Sequence, residues 1–165
     1  MGNIEIVTSD FVHFLITAKR NTWAGDGEQI RHSDYSKNCS YSDGVFEYKD
    51  QYFGNLVDGG REVVFFNKRP IWIMGYHGGV FEEYYKHSEE IFTFLCRSLL
   101  ASQTGLPVRG PRCFVEGDFE YQNSYQGDLK YFTGSEIIVW RKIKVYRKAY
   151  VGGEIRDRRY PVTFI

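Results

Sequence analysis

The chain has 165 residues and a mass of 19.3 kDa, which is enough for one domain with its own core. Lysine and arginine together number 21, as do aspartate and glutamate, and this zero net charge argues against a dedicated polyanion binder. The sequence shows no secretory signal and no apolar run long enough for a membrane span, and its three cysteines form no CxxC pair, so we expect a cytoplasmic protein with no membrane partner.

Aromatic residues make up 18% of the chain and predict a sheet-rich α+β fold. Apolar residues at helical spacing predict a first helix over Ser9–Asn21. Residues 26–43 have no period and predict a long polar loop, either an ordered lid or disordered. An antiparallel meander follows over 44–77, and Ser88 with two glutamates begins a second helix that ends before Gly105.

The meander occurs twice. Residues 44–56 (GVFEYKDQYFGNL) match 117–129 (GDFEYQNSYQGDL), and 62–79 match 136–153, with glycines and glutamates among the identical positions. We therefore predict a single domain over 1–165 built from two tandem helix-plus-antiparallel-meander repeats, about 9–80 and 88–155, related by a pseudo-twofold axis, with a tail at 156–165. The alternative is chance similarity between two aromatic meanders. A seam between related halves is a natural place for a pocket.

Five stretches resemble a known family: NTWAGDG (21–27), IWIMGYHG (71–78), RGP (109–111), GDFEYQNSYQGDLKYFTGSEII (117–138) and VYRKAYVGG (145–153). They are similar to a prokaryotic domain of unknown function that occurs alone and also C-terminal to Xre-type helix-turn-helix regulators. The resemblance covers about residues 9–155 and implies a module that senses a small ligand when fused. It carries no known activity or catalytic residue. The outline is also similar to gyrase-inhibitor-like effector-binding domains, which bind organic ligands in an aromatic groove between two halves, commonly with a buried acid.

The third strand of each repeat carries an aromatic face. Trp72 and Tyr76 lie on this face in the first repeat, and Tyr146 and Tyr150 occupy the matching positions in the second. Because alternate residues of a strand point to opposite sides, we expect these rings to line a groove for a small apolar or aromatic ligand. The opposite face, which carries Ile71 and Ile73, matched by Val145 and Arg147, is then expected to pack against the helices. The alternative is a second aromatic core layer.

Charged residues near this face are candidate ligand contacts. Glu62 and Glu136 lie on otherwise apolar strand faces, where each is either exposed at a strand end, paired with a base, or buried as a binding or acid–base group. Arg109, in the loop after the second helix, suits a carboxylate or phosphate of a ligand, or a structural acid. Trp23 is a candidate residue at the rim of the aromatic groove.

The sequence contains no signature of a known reaction. Its four histidines lack metal-ligand spacing, and it has neither a nucleotide-binding glycine motif nor a nucleophile elbow, so we expect no metal, no cofactor and no assignable catalytic residue. Residues 137–165 carry eight basic and two acidic side chains, a net +6. Basic residues between Tyr146 and Tyr150 suit single-stranded nucleic acid, but a strand edge protected by lysine is commoner, and we expect nucleic acid not to be the partner.

The sequence therefore favours a small-molecule-binding or sensor-type domain with an aromatic groove between duplicated halves. The alternative is a nucleic-acid or protein interaction module that uses the basic C-terminal strand. An enzyme that uses Glu62 or Glu136 comes third, and a homodimer is left open.

Overall fold

The computed structural model describes residues 4–22, 29–101 and 105–165. Within them lie two α-helices, α1 (Thr8–Arg20) and α2 (Ser88–Leu100), and a 3-10 helix at Glu82–His87. The strands are β1 (Ile4–Ile6), β2 (Ile30–Arg31), β3 (Lys37–Asp43), β4 (Phe46–Gly54), β5 (Val57–Phe66), β6 (Arg69–Val80), β7 (Cys113–Glu116), β8 (Phe119–Asp128), β9 (Tyr131–Trp140), β10 (Ile143–Glu154) and β11 (Val162–Phe164). None of the helices in these ranges has the length and apolar character needed to cross a membrane.

Nine strands form one antiparallel sheet with the order β2-β3-β4-β5-β6-β10-β9-β8-β7. The meander β4-β5-β6 and the meander β8-β9-β10 therefore meet at β6 and β10, in the middle of the sheet. At this junction Tyr76 and Tyr150 are direct cross-strand neighbours. The prediction of a mixed α+β fold with antiparallel meanders is confirmed.

Two tight turns set the register of these meanders. Asn67 and Lys68 have φ values of 48° and 66°, and Arg141 and Lys142 have 49° and 67°. Positive φ at both central residues is the feature of a type I′ turn, whose twist matches that of the flanking strands. Because three of these four residues are neither glycine nor asparagine, the paired strands on either side must hold the turns in this conformation.

Both helices pack against the aromatic face of the sheet. Phe11 of α1 lies 5.9 Å from Trp72 between ring centroids, and Phe92 of α2 lies 6.5 Å from Tyr146. The opposite face, predicted to pack against the helices, is not the covered one, since Ile73 is only half-buried and Arg147 is exposed. Ile71 and Val145, which we assigned to that face, are fully buried, because the strand pairing shifts register at each of them. The aromatic rings supply the larger apolar area, and their polar tips find buried hydrogen-bond partners.

Residues 37–43 form β3, although we predicted a loop there. Cys39 is buried and Tyr41 half-buried, whereas Ser40 and Ser42 are exposed. Burial therefore alternates along β3 as in other strands. Most of its residues are small or polar, so the sequence shows no alternation of hydrophobic and polar residues there.

The last ten residues, which we set apart as a tail, also contribute to the fold. β11 pairs in parallel with β1, and the amide of Thr8 donates to the carbonyl oxygen of Ile165 at 2.9 Å. Phe164 packs edge-on against Phe11 with 5.0 Å between ring centroids. β1 and β11 thus pair with each other, and β11 packs against α1.

Candidate functional site

Glu136 on β9 is fully buried and completely hydrogen-bonded. The Arg109 Nε donates to its Oε2 at 3.0 Å, and a second guanidinium nitrogen donates to Oε1. The hydroxyl of Tyr121 donates to Oε2 at 2.6 Å, and that of Tyr146 to Oε1 at 2.9 Å. Burial alone would raise the pKa of this carboxyl, but the charge and hydrogen bonds of Arg109 hold the pKa below its ordinary value. Arg109 here bridges to a structural acid.

Glu62 on β5, at the matching position of the first meander, is equally buried but less satisfied. The Lys19 Nζ of α1 donates to its Oε2 at 2.6 Å and also to the carbonyl oxygen of Val108 at 2.6 Å. Burial lowers the pKa of Lys19 even though Glu62 opposes this shift. The Oε1 of Glu62 accepts no hydrogen bond within the described part of the chain. Leaving a buried acceptor unsatisfied costs about 1–3 kcal/mol, and more for a charged group.

Asp50 on β4 lies directly across from Glu62 in the β4–β5 pairing. Its side chain accepts a hydrogen bond from the Tyr76 hydroxyl at 2.7 Å, and none of the described lysine or arginine residues forms an ion pair with it. Burial, followed by the negative charge of Glu62, raises the pKa of Asp50 to about 7. Asp50 therefore takes up a proton near neutral pH.

These carboxyls lie at the floor of an open cleft of about 320 Å³ between α2 and the sheet. One side of α2 forms its apolar wall with Phe92, Leu95 and Leu99. The cleft is thus bounded by a helix of the second predicted repeat and by strands of the first.

The basic side chains that line the cleft already have partners. The Lys148 Nζ donates to Asp58 Oδ1 at 2.6 Å, and Arg109 is held by Glu136. The Lys37 Nζ donates to the carbonyl oxygen of Gly54 at 2.8 Å. Each of these basic groups has a partner, whereas the buried Glu62 Oε1 lacks a donor in the described part of the chain.

The corresponding polar groups of the second meander are buried and hydrogen-bonded within the fold. Asn123 faces Glu136 across the strands and accepts a hydrogen bond from the Tyr150 hydroxyl at 2.6 Å, as Asp50 does from Tyr76. An amide at this position removes the second negative charge. The buried polar side chains of the second meander are therefore hydrogen-bonded within the fold. The matching side chains of the first meander line a cleft, and one of their oxygens has no donor in the described part of the chain.

The structure brings together some of the residues proposed from the sequence. Glu62, Tyr76 and Arg109 line the cleft. The other members of the proposed aromatic groove are packed in the core, with exposed fractions of 0% for Trp72, 0% for Tyr146 and 3% for Tyr150. Glu136 is sealed by its hydrogen bonds, and Trp23 lies outside the described residues.

Sequence reasoning missed Asp50, Lys148 and the wall provided by α2. Asp50 stands between Tyr48 and Tyr52, and Lys148 between Tyr146 and Tyr150, at inward positions of alternating strands. A charged residue on the aromatic side of such a pattern was the available signal.

The basic and aromatic residues of β10 do not share one surface. Lys148, Tyr146 and Tyr150 are buried on the helix-covered face, whereas Arg147 is exposed on the other face. β10 also lies in the centre of the sheet, so lysine protection of an edge does not explain its charge.

Among the described residues, no group of three or more histidine, cysteine, aspartate or glutamate side chains could hold a metal ion.

Comparison with protein families gives a match over residues 50–155 to "Domain of unknown function (DUF5680)". No curated protein and no solved structure matches the chain.

Proposed function

We propose that this chain, which belongs to the DUF5680 family, binds a small organic molecule in the cleft between α2 and the sheet. The observation that carries the proposal is the buried Glu62 Oε1, which has no hydrogen-bond donor in the described part of the chain and lies beside an open cleft. A fold tolerates such an atom at a functional site, where a ligand supplies the missing donor.

The shape of the cleft supports a ligand rather than water alone. Its volume of about 320 Å³ is at the lower end of the range for small-molecule sites, which combine an apolar lining with a few convergent polar groups. Phe92, Leu95 and Leu99 supply the apolar wall, and Asp50 and Glu62 supply the polar floor.

We also propose that the two halves arose by duplication. The pairing of β6 with β10, which forms the seam between the halves, supports this. Tyr76 and Tyr150 match in the sequence and face each other across β6 and β10, as a twofold axis at the seam requires. Where a module of this kind follows a helix-turn-helix, ligand binding at such a seam would bias the packing of the two halves and act as the sensed signal. Comparing the two halves across family members tests the duplication, and matches no better than between unrelated meanders would contradict it.

Blocking the cleft tests the binding function. Cys96 lies on the apolar wall, whereas Cys113 is exposed on β7, so Cys96→Trp fills the cleft and Cys113→Trp is the matched control. We expect members of a fragment library to raise the unfolding midpoint of the wild type and of Cys113→Trp but not of Cys96→Trp. A library in which no compound separates the two variants would contradict the proposal.

A further inference from the structure

We propose that the ligand is an amphipathic organic cation whose protonated amine is held by Asp50 and Glu62 and whose apolar body packs against α2. This inference rests on the proposed binding function and specifies the ligand class. It follows from three features of the cleft, namely the kind of hydrogen-bonding capacity left over, the balance of buried charge, and the position of the apolar wall.

One buried acceptor beside the cleft has no hydrogen-bond donor among the described residues. The Glu62 Oε1 is fully buried and lacks a donor in the described part of the chain, so its complement is an N–H or O–H group. A carboxylate or phosphate ligand offers acceptors and would lie against two carboxyls. The arginine and the lysine at the floor, Arg109 and Lys148, are held by Glu136 and Asp58.

The balance of buried charge favours a cation over a neutral donor. Each buried base is paired with one acid, as Lys19 with Glu62, Arg109 with Glu136 and Lys148 with Asp58. Asp50 is a further buried acid that forms no ion pair among the described residues. An ammonium group between Asp50 and Glu62 would supply the missing positive charge and the missing donor at once.

The apolar wall sets the shape of the rest of the ligand. Leu95 and Leu99 are largely buried on α2, and Phe92 is half-buried beside them. Carbon atoms of a ligand placed there leave water, which contributes about 25 cal/mol for each Å² of apolar surface removed. Tyr76 adds an aromatic ring near the carboxyls.

A proton and an organic cation compete for the Asp50 carboxylate. The charged and titratable groups around Asp50 are Cys39 from β3, Tyr52 from β4, Glu62 from β5, Tyr76 from β6, Lys19 from α1 and Arg109 from the loop after α2. Since the pKa of Asp50 is raised to about 7, acid protonates it and weakens the binding of a cation. We expect affinity to fall by up to about tenfold for each pH unit below this value.

Three probes with one carbon skeleton test the ligand class by isothermal titration at pH 8 and pH 5.5. 4-Phenylbutylamine is cationic at both pH values, 4-phenylbutanol is a neutral donor, and 4-phenylbutyrate is an anion at pH 8. We expect the amine to bind most tightly and to lose affinity at pH 5.5, whereas the affinity of the alcohol should change little.

Asp50→Asn is the diagnostic variant, because an amide keeps an acceptor for the Tyr76 hydroxyl and removes the charge. We expect it to weaken amine binding at pH 8 by about tenfold or more and to abolish the pH dependence. Asp43→Asn, at an exposed position of β3, is the matched control and should bind like the wild type.

The possible results distinguish an error in the ligand class from a failure of the proposed binding function. Tighter binding of the alcohol or the acid, with loss of that binding in Cys96→Trp, would overturn the cation inference and leave the binding site in place. Amine binding that is unchanged in Asp50→Asn would also overturn the inference. If none of the three probes binds and the fragment library gives no compound sensitive to Cys96→Trp, both proposals fail.

Discussion

Two buried glutamates show how a single residue type acquires different roles from its surroundings. Glu136 receives hydrogen bonds from a guanidinium and two phenols, so its charge is compensated within the fold. Glu62 receives one ammonium group on one oxygen and leaves the other oxygen open. The first arrangement is satisfied within the fold, and the second leaves one buried acceptor without a donor in the described part of the chain.

Removing the base from the structural pair should be costly. Arg109→Met leaves Glu136 buried without its guanidinium, and loss of one partner of a buried ion pair typically costs about 3–5 kcal/mol of unfolding free energy. Arg97→Met removes an exposed ion pair with Glu116 and should cost less than about 1 kcal/mol. Urea unfolding followed by circular dichroism measures both, and equal losses would contradict the structural role of Glu136.

The raised pKa of Asp50 predicts a pH-dependent effect of Asp50→Asn on stability. Because the folded-state pKa lies above the ordinary value of 3.8, Asp50 stabilises the fold most below that value, and this contribution is lost as the pH rises towards about 7. The stability of Asp50→Asn relative to the wild type should therefore increase from pH 4 to pH 7, by at most about 1.4 kcal/mol for each pH unit.

Unfolding curves for both proteins at several pH values measure this difference. A difference that is flat across the range, or that changes in the opposite direction, would contradict the raised pKa. Asp43→Asn again serves as the control, since its carboxyl is exposed.

At the scale of the elements, hydrophobic periodicity predicted the helices and the meanders but not the way they pack. The spacing of Phe11, Phe14 and Leu15 is a local property, so helix α1 was found within one residue of its observed ends. Which side of a strand faces a helix depends on the whole sheet, and the strands carry apolar residues on both sides. The aromatic side was buried because its tyrosine hydroxyls reach buried acceptors such as Glu136.

Glycine positions in the strands next to the seam make room for the central tyrosines. A Cβ added at Gly134 would overlap the ring of Tyr150, whereas a Cβ at Gly75 would meet only the Gly60 carbonyl oxygen at 4.0 Å. We expect Gly134→Ala to lower the unfolding free energy by about 1–3 kcal/mol and Gly75→Ala to change it by less than about 0.5 kcal/mol. Thermal or urea unfolding of the two variants measures both changes in unfolding free energy. Equal changes would show that Tyr150 is not held over Gly134.

At the scale of the whole molecule, strand β11 near the C-terminus packs into the core. Phe164 is 8% exposed and packs against Phe11, whereas Ile165 beside it is 61% exposed. Phe164→Ala should cost about 3 kcal/mol of unfolding free energy, and Ile165→Ala should be close to neutral. A Phe164→Ala protein as stable as the wild type would show that β11 does not anchor α1.

The candidate site could be predicted only in part, because it depends on contacts between distant segments. Glu62 was recognisable as an acid on an apolar strand face, and Arg109 as a planar donor after a helix. Their surroundings were not, since Lys19 reaches Glu62 from 43 positions away and Lys148 reaches Asp58 from 90 positions away. The sequence supplies the residue types, but the sheet order decides which acids remain without partners.

A crystal structure of the protein with 4-phenylbutylamine tests the central claim most directly. We expect the ammonium nitrogen within hydrogen-bond distance of the Glu62 Oε1 and of Asp50, with the phenyl ring against Leu95 and Leu99 of α2. A complex with the phenyl ring on the carboxyls, or with the amine outside the cleft while a side chain of the protein donates to the Glu62 Oε1, would contradict it.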